Sequence, residues 1–200
     1  MANLASFPHT VAWHRVMDAQ SQEQMVLSRV KQGYAFSGIV LTAEAGVPLR
    51  VIYRIACDAN WRTRMCAIEQ IFGAERKSLL LERRGNHWLV NGARDPALDG
   101  CSDVDLGLSP STNTLAINRL GLGVRGRGEI KAAWVRFPSL DVVPAAQSYQ
   151  RLSKRRYLYR NLGSDFKAVL DIDDAGLVVL YEGIWQRIAF APGDSRSGTI

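Results

Sequence analysis

The stretch Leu49-Arg50-Val51-Ile52-Tyr53-Arg54-Ile55-Ala56 decides the fold. It puts Leu49, Val51, Tyr53 and Ile55 on one side and sets Arg50 and Arg54 opposite, the period of a strand with one face in a core and the other in water. RTRMCAIEQIF (62–72), SLLLERR (78–84), HWLVNG (87–92), IKAAWVRF (130–137), RRYLYR (155–160) and FKAVLDI (166–172) have similar length and β-branched or aromatic content. Strands therefore tile most of the chain. Arg84-Gly85-Asn86 and Asp173-Asp174-Ala175-Gly176 fall between such segments and supply residues that tolerate turn geometry. Short hairpin loops join antiparallel neighbours, whereas parallel pairs need long crossovers. The expected fold is all-β, a mainly antiparallel meander that must bury one face. Curling or closing also reduces exposed edges, which leaves barrel, half-barrel or sandwich. Two short helices are expected, one within Ser109–Leu122, with Ser109 as cap and Pro110 in the first turn, and one around Pro144–Leu152.

With 200 residues, 47% hydrophobic and 22% charged, the chain has the composition of one ordinary globular domain. Residues 1–190 are expected to form that single β domain and the polar 191–200 a frayed tail. The net charge of +6 is spread over scattered arginines, so no nucleic-acid footprint is expected. Cys57, Cys66 and Cys101 form no CxxC pair, and their odd number favours reduced thiols. MANLASFPHTVAWHR lacks the charged and apolar regions of an export signal. No apolar run approaches the roughly 20 residues of a spanning helix. A soluble cytoplasmic protein without stable membrane insertion is the expectation.

The chemistry concentrates in GCSDVDLGLSPSTNTLAINRL, residues 100–120. Asp103 and Asp105 would share one side of a strand, yet the segment does not match a calcium loop, which continues through Gly at position six to Glu at position twelve. A polar turn or arginine-paired carboxylates is the preferred account, with no metal or cofactor. A cysteine nucleophile would need one of His9, His14 or His87 beside it, and a serine nucleophile a GxSxG elbow, which is absent. GLGVRGRG (121–128) matches neither a phosphate loop nor a strand-to-helix GxGxxG and reads as a basic loop. Trp61, Trp88, Trp134 and Trp185 are either core indoles with a satisfied N–H or the walls of a cavity.

CDANWRTR (57–64), GNHWLVNG (85–92), LDGCSDVDLGLSPSTNTLAINRL (98–120), AAWVRFPSL (132–140) and GLVVLYEGIWQR (176–187), in that order, resemble the bacterial putative glycolipid-binding family. GCSDVDLG with SPSTNTL is the most specific part. The chain departs from the family pattern at Ala116, where a proline often stands, and at Glu182, where Tyr-Pro-Gly is usual. The resemblance implies a strongly curved half-barrel or open barrel similar to lipoprotein-carrier folds, with helices against the concavity. It also implies a glycolipid or other amphipathic small molecule as partner, bound without catalysis.

On that reading the acyl part lies against Trp88 and Trp134, and the sugar or phosphate near Trp61, Arg62, Arg64 and Asn113. Asp103 and Asp105 would pair with arginines such as Arg62 and Arg64, at the mouth or floor of the cavity. The competing expectation is an enzyme acting on a sugar or nucleotide through Asp58, Asp103 and Asp105. A third is a partner-binding module whose barrel is filled and whose outside carries a large apolar patch.

Overall fold

The alternation at Leu49–Ala56 is realised in strand β4 (Val47–Asp58), where Leu49, Val51, Tyr53 and Ile55 are buried and Arg50 and Arg54 exposed. The computed structural model describes residues 7–18 and 20–193. The first limb of the sheet comprises β1 (His9–Arg15), β2 (Gln22–Val30), β3 (Gly33–Glu44), β4, β5 (Thr63–Phe72), β6 (Glu75–Arg84), β7 (His87–Val90) and β8 (Ala93–Arg94). The second comprises β10 (Arg127–Val135), β11 (Val142–Ser153), β12 (Arg156–Asn161), β13 (Lys167–Ile172), β14 (Val178–Tyr181) and β15 (Trp185–Ala191). Each limb is an antiparallel meander, and the two are joined where β15 pairs antiparallel with β1. The turns at Gly85–Asn86 and Asp173–Gly176 are hairpins as their sequences predict. Gly85 and Gly176 take positive φ there, a conformation that favours glycine.

One strand breaks the pattern. β9 (Asp103–Leu106) runs parallel to β10, in register from Asp103 opposite Ala132 to Leu106 opposite Val135. A parallel pair needs a crossover, and helix α1 (Asn113–Leu120) supplies it. This unit lies inside the bend of the sheet. Ser111 bonds Tyr53 on β4 while Asn113 bonds Tyr149 on β11, strands that are eight steps apart in the sheet order. In a flat sheet they would stand about 40 Å apart. The sheet is therefore strongly curved around residues 101–120. Its backbone ladder does not close; the seam between β5 and β9 carries instead a hydrogen bond from Val104 N to Thr63 Oγ1 (3.1 Å).

Two expectations need correction. Pro144–Leu152 is not helical; it lies within β11, because pairing with β10 and β12 along its length outweighs the local helix preference of Ala-Ala-Gln. The first helix starts four residues after Ser109, with Thr112 as its cap residue, and Pro110 stands before it, not in its first turn. The strand β15 extends through Ala191, the first residue of the expected 191–200 tail, and residues 194–200 of that tail lie outside the described residues.

A glycine makes room for Tyr53 inside the bend. Gly38 on β3 faces Tyr53 on β4, and the ring of Tyr53 lies across the space where a Cβ would stand, so its hydroxyl reaches Glu23 on β2. Gly38→Ala should displace that ring and lower unfolding free energy by about 1–3 kcal/mol, measured by urea denaturation. An unchanged midpoint would show that the ring needs no such gap.

Candidate ligand-binding site

The segment that crosses the interior is anchored at its start. Lys131 Nζ donates to the carbonyls of Ala97 (3.2 Å) and Asp99 (2.9 Å), and the indole of Trp88 donates to Cys101 O (2.9 Å). Asp103 and Asp105 then project toward α1, as their spacing predicts. Their partners differ from expectation. Asp103, with its side chain 2% exposed, is held by Arg119 of α1 through a fork of 2.9 and 2.6 Å, and accepts from Ser102 Oγ. Arg62 and Arg64 are exposed, and Arg64 bonds Gln32 (2.7 Å). Arg119 stands on the helix that packs against β9, whereas Arg62 and Arg64 turn to solvent. Asp105 accepts from Thr112 Oγ1 (3.0 Å) and Gln147 Nε2 (2.6 Å), and burial raises its pKa. Asn113 accepts from Tyr149 (3.0 Å) and donates to Pro110 O (3.2 Å).

A second buried polar cluster has no precedent in the sequence reading. Glu23, 1% exposed, accepts at Oε1 from Tyr53 (2.5 Å) and Ser109 (2.8 Å), and Ser111 links the two hydroxyls at 2.8 and 2.6 Å. Its Oε2 has no hydrogen-bond partner among the described residues. Burial pushes its pKa up to about 7, against the opposing pull of those hydroxyls.

The open space lies at the mouth, where β9 ends. One cavity of about 250 Å³ is lined by Val40, Leu49, Leu108 and Phe137, with Arg136 and Glu44 at its rim. Another of about 340 Å³ is lined by Asp105, Asn113, Tyr159, Phe166, Tyr181 and Ile184. Arg15, Gly107, Trp134 and Trp185 border both. Gly107 is required here: a Cβ would stand 2.7 Å from Trp134 Nε1 and 3.1 Å from Val135 O. Apolar walls that meet a few oriented polar groups are the usual composition of a small-molecule site. A further cavity of about 480 Å³ lies by Asn118, Arg151, Tyr157 and Gly176. Its charges serve one another: Asp173 pairs with Arg187 (2.6 Å), Asp174 with Arg155, and Arg151 donates to Leu122 O.

Of the residues singled out in the sequence, the mouth gathers Asp105, Asn113 and Trp134. Trp88 is sealed in the core. Trp61, at positive φ, stacks on Tyr34 with centroids 3.7 Å apart and belongs with Arg62 to the turn between β4 and β5, while Arg64 stands at the start of β5. Asp58 holds that turn, accepting from the backbone of Asn60 (2.9 Å) and Arg62 (3.0 Å). Asp58, Asp103 and Asp105 thus have separate structural partners. Among the described residues no three His, Cys, Asp or Glu side chains converge as metal ligands. The sequence reading missed Arg15, Glu23, Arg119 and Gln147. Arg15 was within reach of it, since Val11, Trp13 and Arg15 share one face of a strand.

Two outcomes follow. Arg119→Ala leaves the Asp103 carboxylate buried without its partner and should cost about 3 kcal/mol or more, whereas Arg62→Ala should stay within about 0.5 kcal/mol, both by chemical denaturation. Glu23 supplies a pH signature. Its folded pKa of about 7 stands above the 4.5 of the unfolded chain, so the folded state binds the proton more tightly. The resulting stability is present below pH 4.5 and is lost as pH rises through 7. Glu23→Gln should remove this decline and exceed the parent by about 2–3 kcal/mol at pH 8. Parallel stability profiles would refute the assignment.

The match to the family model of putative glycolipid-binding proteins spans residues 10–187. A crystal structure of a DUF1089 family protein from Pseudomonas aeruginosa superposes with a TM-score of 0.78 at 37% identity, covering 84% of this chain and 92% of that one. A β-barrel-like protein of the domain of unknown function DUF1849 from Brucella abortus shares the fold at a TM-score of 0.52 and 9% identity, covering 94% and 98%. No curated protein matches the chain. With most of its length matched and a solved relative of high identity, the chain belongs to the putative glycolipid-binding family.

Proposed function

We propose that the protein binds an amphipathic small molecule at the mouth of its curved sheet, without chemistry on it. The observation that carries this reading is the pair of cavities that meet at Trp134, one walled by Val40, Leu49, Leu108 and Phe137, the other offering Asp105 and Asn113. A hydrocarbon segment suits the first and hydroxyls of a sugar suit the second. Trp134, half-buried, presents an aromatic face that serves either part. The alkyl position falls beside Leu108 and Trp134, because Trp88 has no exposed surface to offer. At about 250 and 340 Å³ the cavities sit near the lower end of ligand pockets, roughly 300–1,000 Å³. They suit a headgroup and the first part of one chain, with the remainder outside.

Binding without turnover is supported by what the reactive groups are already doing. Burial pushes the Cys101 thiol up to about 11 and raises Cys57 and Cys66 further, so these thiols are protonated and poor nucleophiles. Asp103 is tied to Arg119 and Asp58 to its turn. Three unpaired buried cysteines also suit a reducing compartment, in keeping with a cytoplasmic place for the protein. No helix among the described residues is long and apolar enough to cross a membrane.

Native mass spectrometry of gently purified protein, followed by solvent extraction, should recover an apolar or amphipathic molecule. Trp134→Ala should weaken binding of an added alkyl glycoside by about tenfold while shifting the melting temperature only slightly. No recovered molecule and no response to alkyl glycosides or other lipids would defeat the reading.

A further inference from the structure

Resting on this mouth site, we infer that its ligand carries an anionic headgroup, a phosphate, sulfate or carboxylate on an alkyl chain, and that Arg15 is the residue that seats it. The inward face of β1 reads Val11, Trp13, Arg15, so an arginine ends a row of core residues. Its side chain is half-buried and borders both cavities. Among the described residues it makes no side-chain hydrogen bond or ion pair. Arginine keeps its charge at any physiological pH and presents a planar fork that fits an oxyanion through two parallel hydrogen bonds. A half-buried guanidinium turned toward a partly apolar space gains more from such a partner than one in open water.

The neighbouring charges are otherwise engaged. Arg136 pairs with Asp141 (3.2 Å) and lies over the Trp134 ring at 5.9 Å. Asp18, the carboxylate whose pKa Arg15 helps to lower, accepts from Ser21 and from the backbone of Gln20. Glu23 on the adjacent strand is bonded to Tyr53 and Ser109. Asp105 is pushed toward its neutral form by burial, and Glu44 is exposed at the rim. Among the described residues that leaves Arg15 as the unpaired cation where the two cavities meet, with apolar walls on either side of it, Leu108 and Phe137 in one and Phe166 and Ile184 in the other. An anion attached to a chain satisfies both features together.

The test uses the full chain and three probes below their micellar concentrations: dodecyl phosphate, dodecyl maltoside and inorganic phosphate, followed by calorimetry and tryptophan fluorescence. Dodecyl phosphate should bind at least about tenfold more tightly than dodecyl maltoside, and inorganic phosphate weakly or not at all. Arg15→Gln should erase the preference, and Arg15→Lys should keep part of it. Equal binding of the two amphiphiles, or a preference that survives Arg15→Gln, would overturn the inference and leave the proposed function standing. Binding of neither amphiphile would overturn both. Inorganic phosphate binding as tightly as dodecyl phosphate would identify a free-anion site and overturn the amphiphile assignment. Should Arg15→Gln not fold, the wild-type comparison and Arg15→Lys still decide the matter.

Discussion

The fork between Arg119 and Asp103 is the contact on which the interior arrangement depends. A buried carboxylate is costly unless it is paired and hydrogen-bonded, and Asp103 can meet that condition only while α1 stands over β9. The pair therefore fixes the crossover against its own strand. Once fixed, the crossover sets where Thr112, Asn113 and Ser111 meet β9, β11 and β4. The curve of the sheet is wrapped around a polar segment that arrives already organised. Its interior is held by directional bonds as much as by apolar contact.

The same segment determines what space is left. Had α1 and β9 run the full depth of the bend, no cavity would remain at the mouth. β9 ends at Leu106, and the missing side chain of Gly107 leaves room for the indole of Trp134 beside the backbone. The candidate site is thus a remainder, defined by where the chain's own filling ends. This places the candidate residues on the β9–α1–β10 unit and at the end of β1, about ninety residues earlier in the chain.

The sheet was legible in the sequence because alternation is a local property. Leu49 to Ile55 announces its own buried face, and Gly85-Asn86 its own turn. Long-range pairing was not legible. Val142–Ser153 carries Ala-Ala-Gln in a strand because β10 and β12 hold it on both sides, and neither neighbour can be read from the segment itself. Ion-pair partners failed for the same reason. Arg62 and Arg64 stand on β5 and its turn near the seam that β9 closes, while the true partner, Arg119, lies sixteen residues beyond Asp103, on a helix whose docking depends on a parallel pairing. Glu23 drew no notice in the sequence, although Met25 and Leu27 on the same face mark its side as buried.

The joint between β1 and β15 has a consequence for synthesis. Trp13 donates its indole proton to Val178, 165 residues later, and β1 finds its second neighbour only when β15 has emerged. Until then a nascent first limb exposes the bare edge of β1 together with an inner face that nothing covers. Topologies of such high contact order fold slowly, and unpaired edges invite association between chains. The risk of association between chains is therefore greatest before β15 is available to pair with β1.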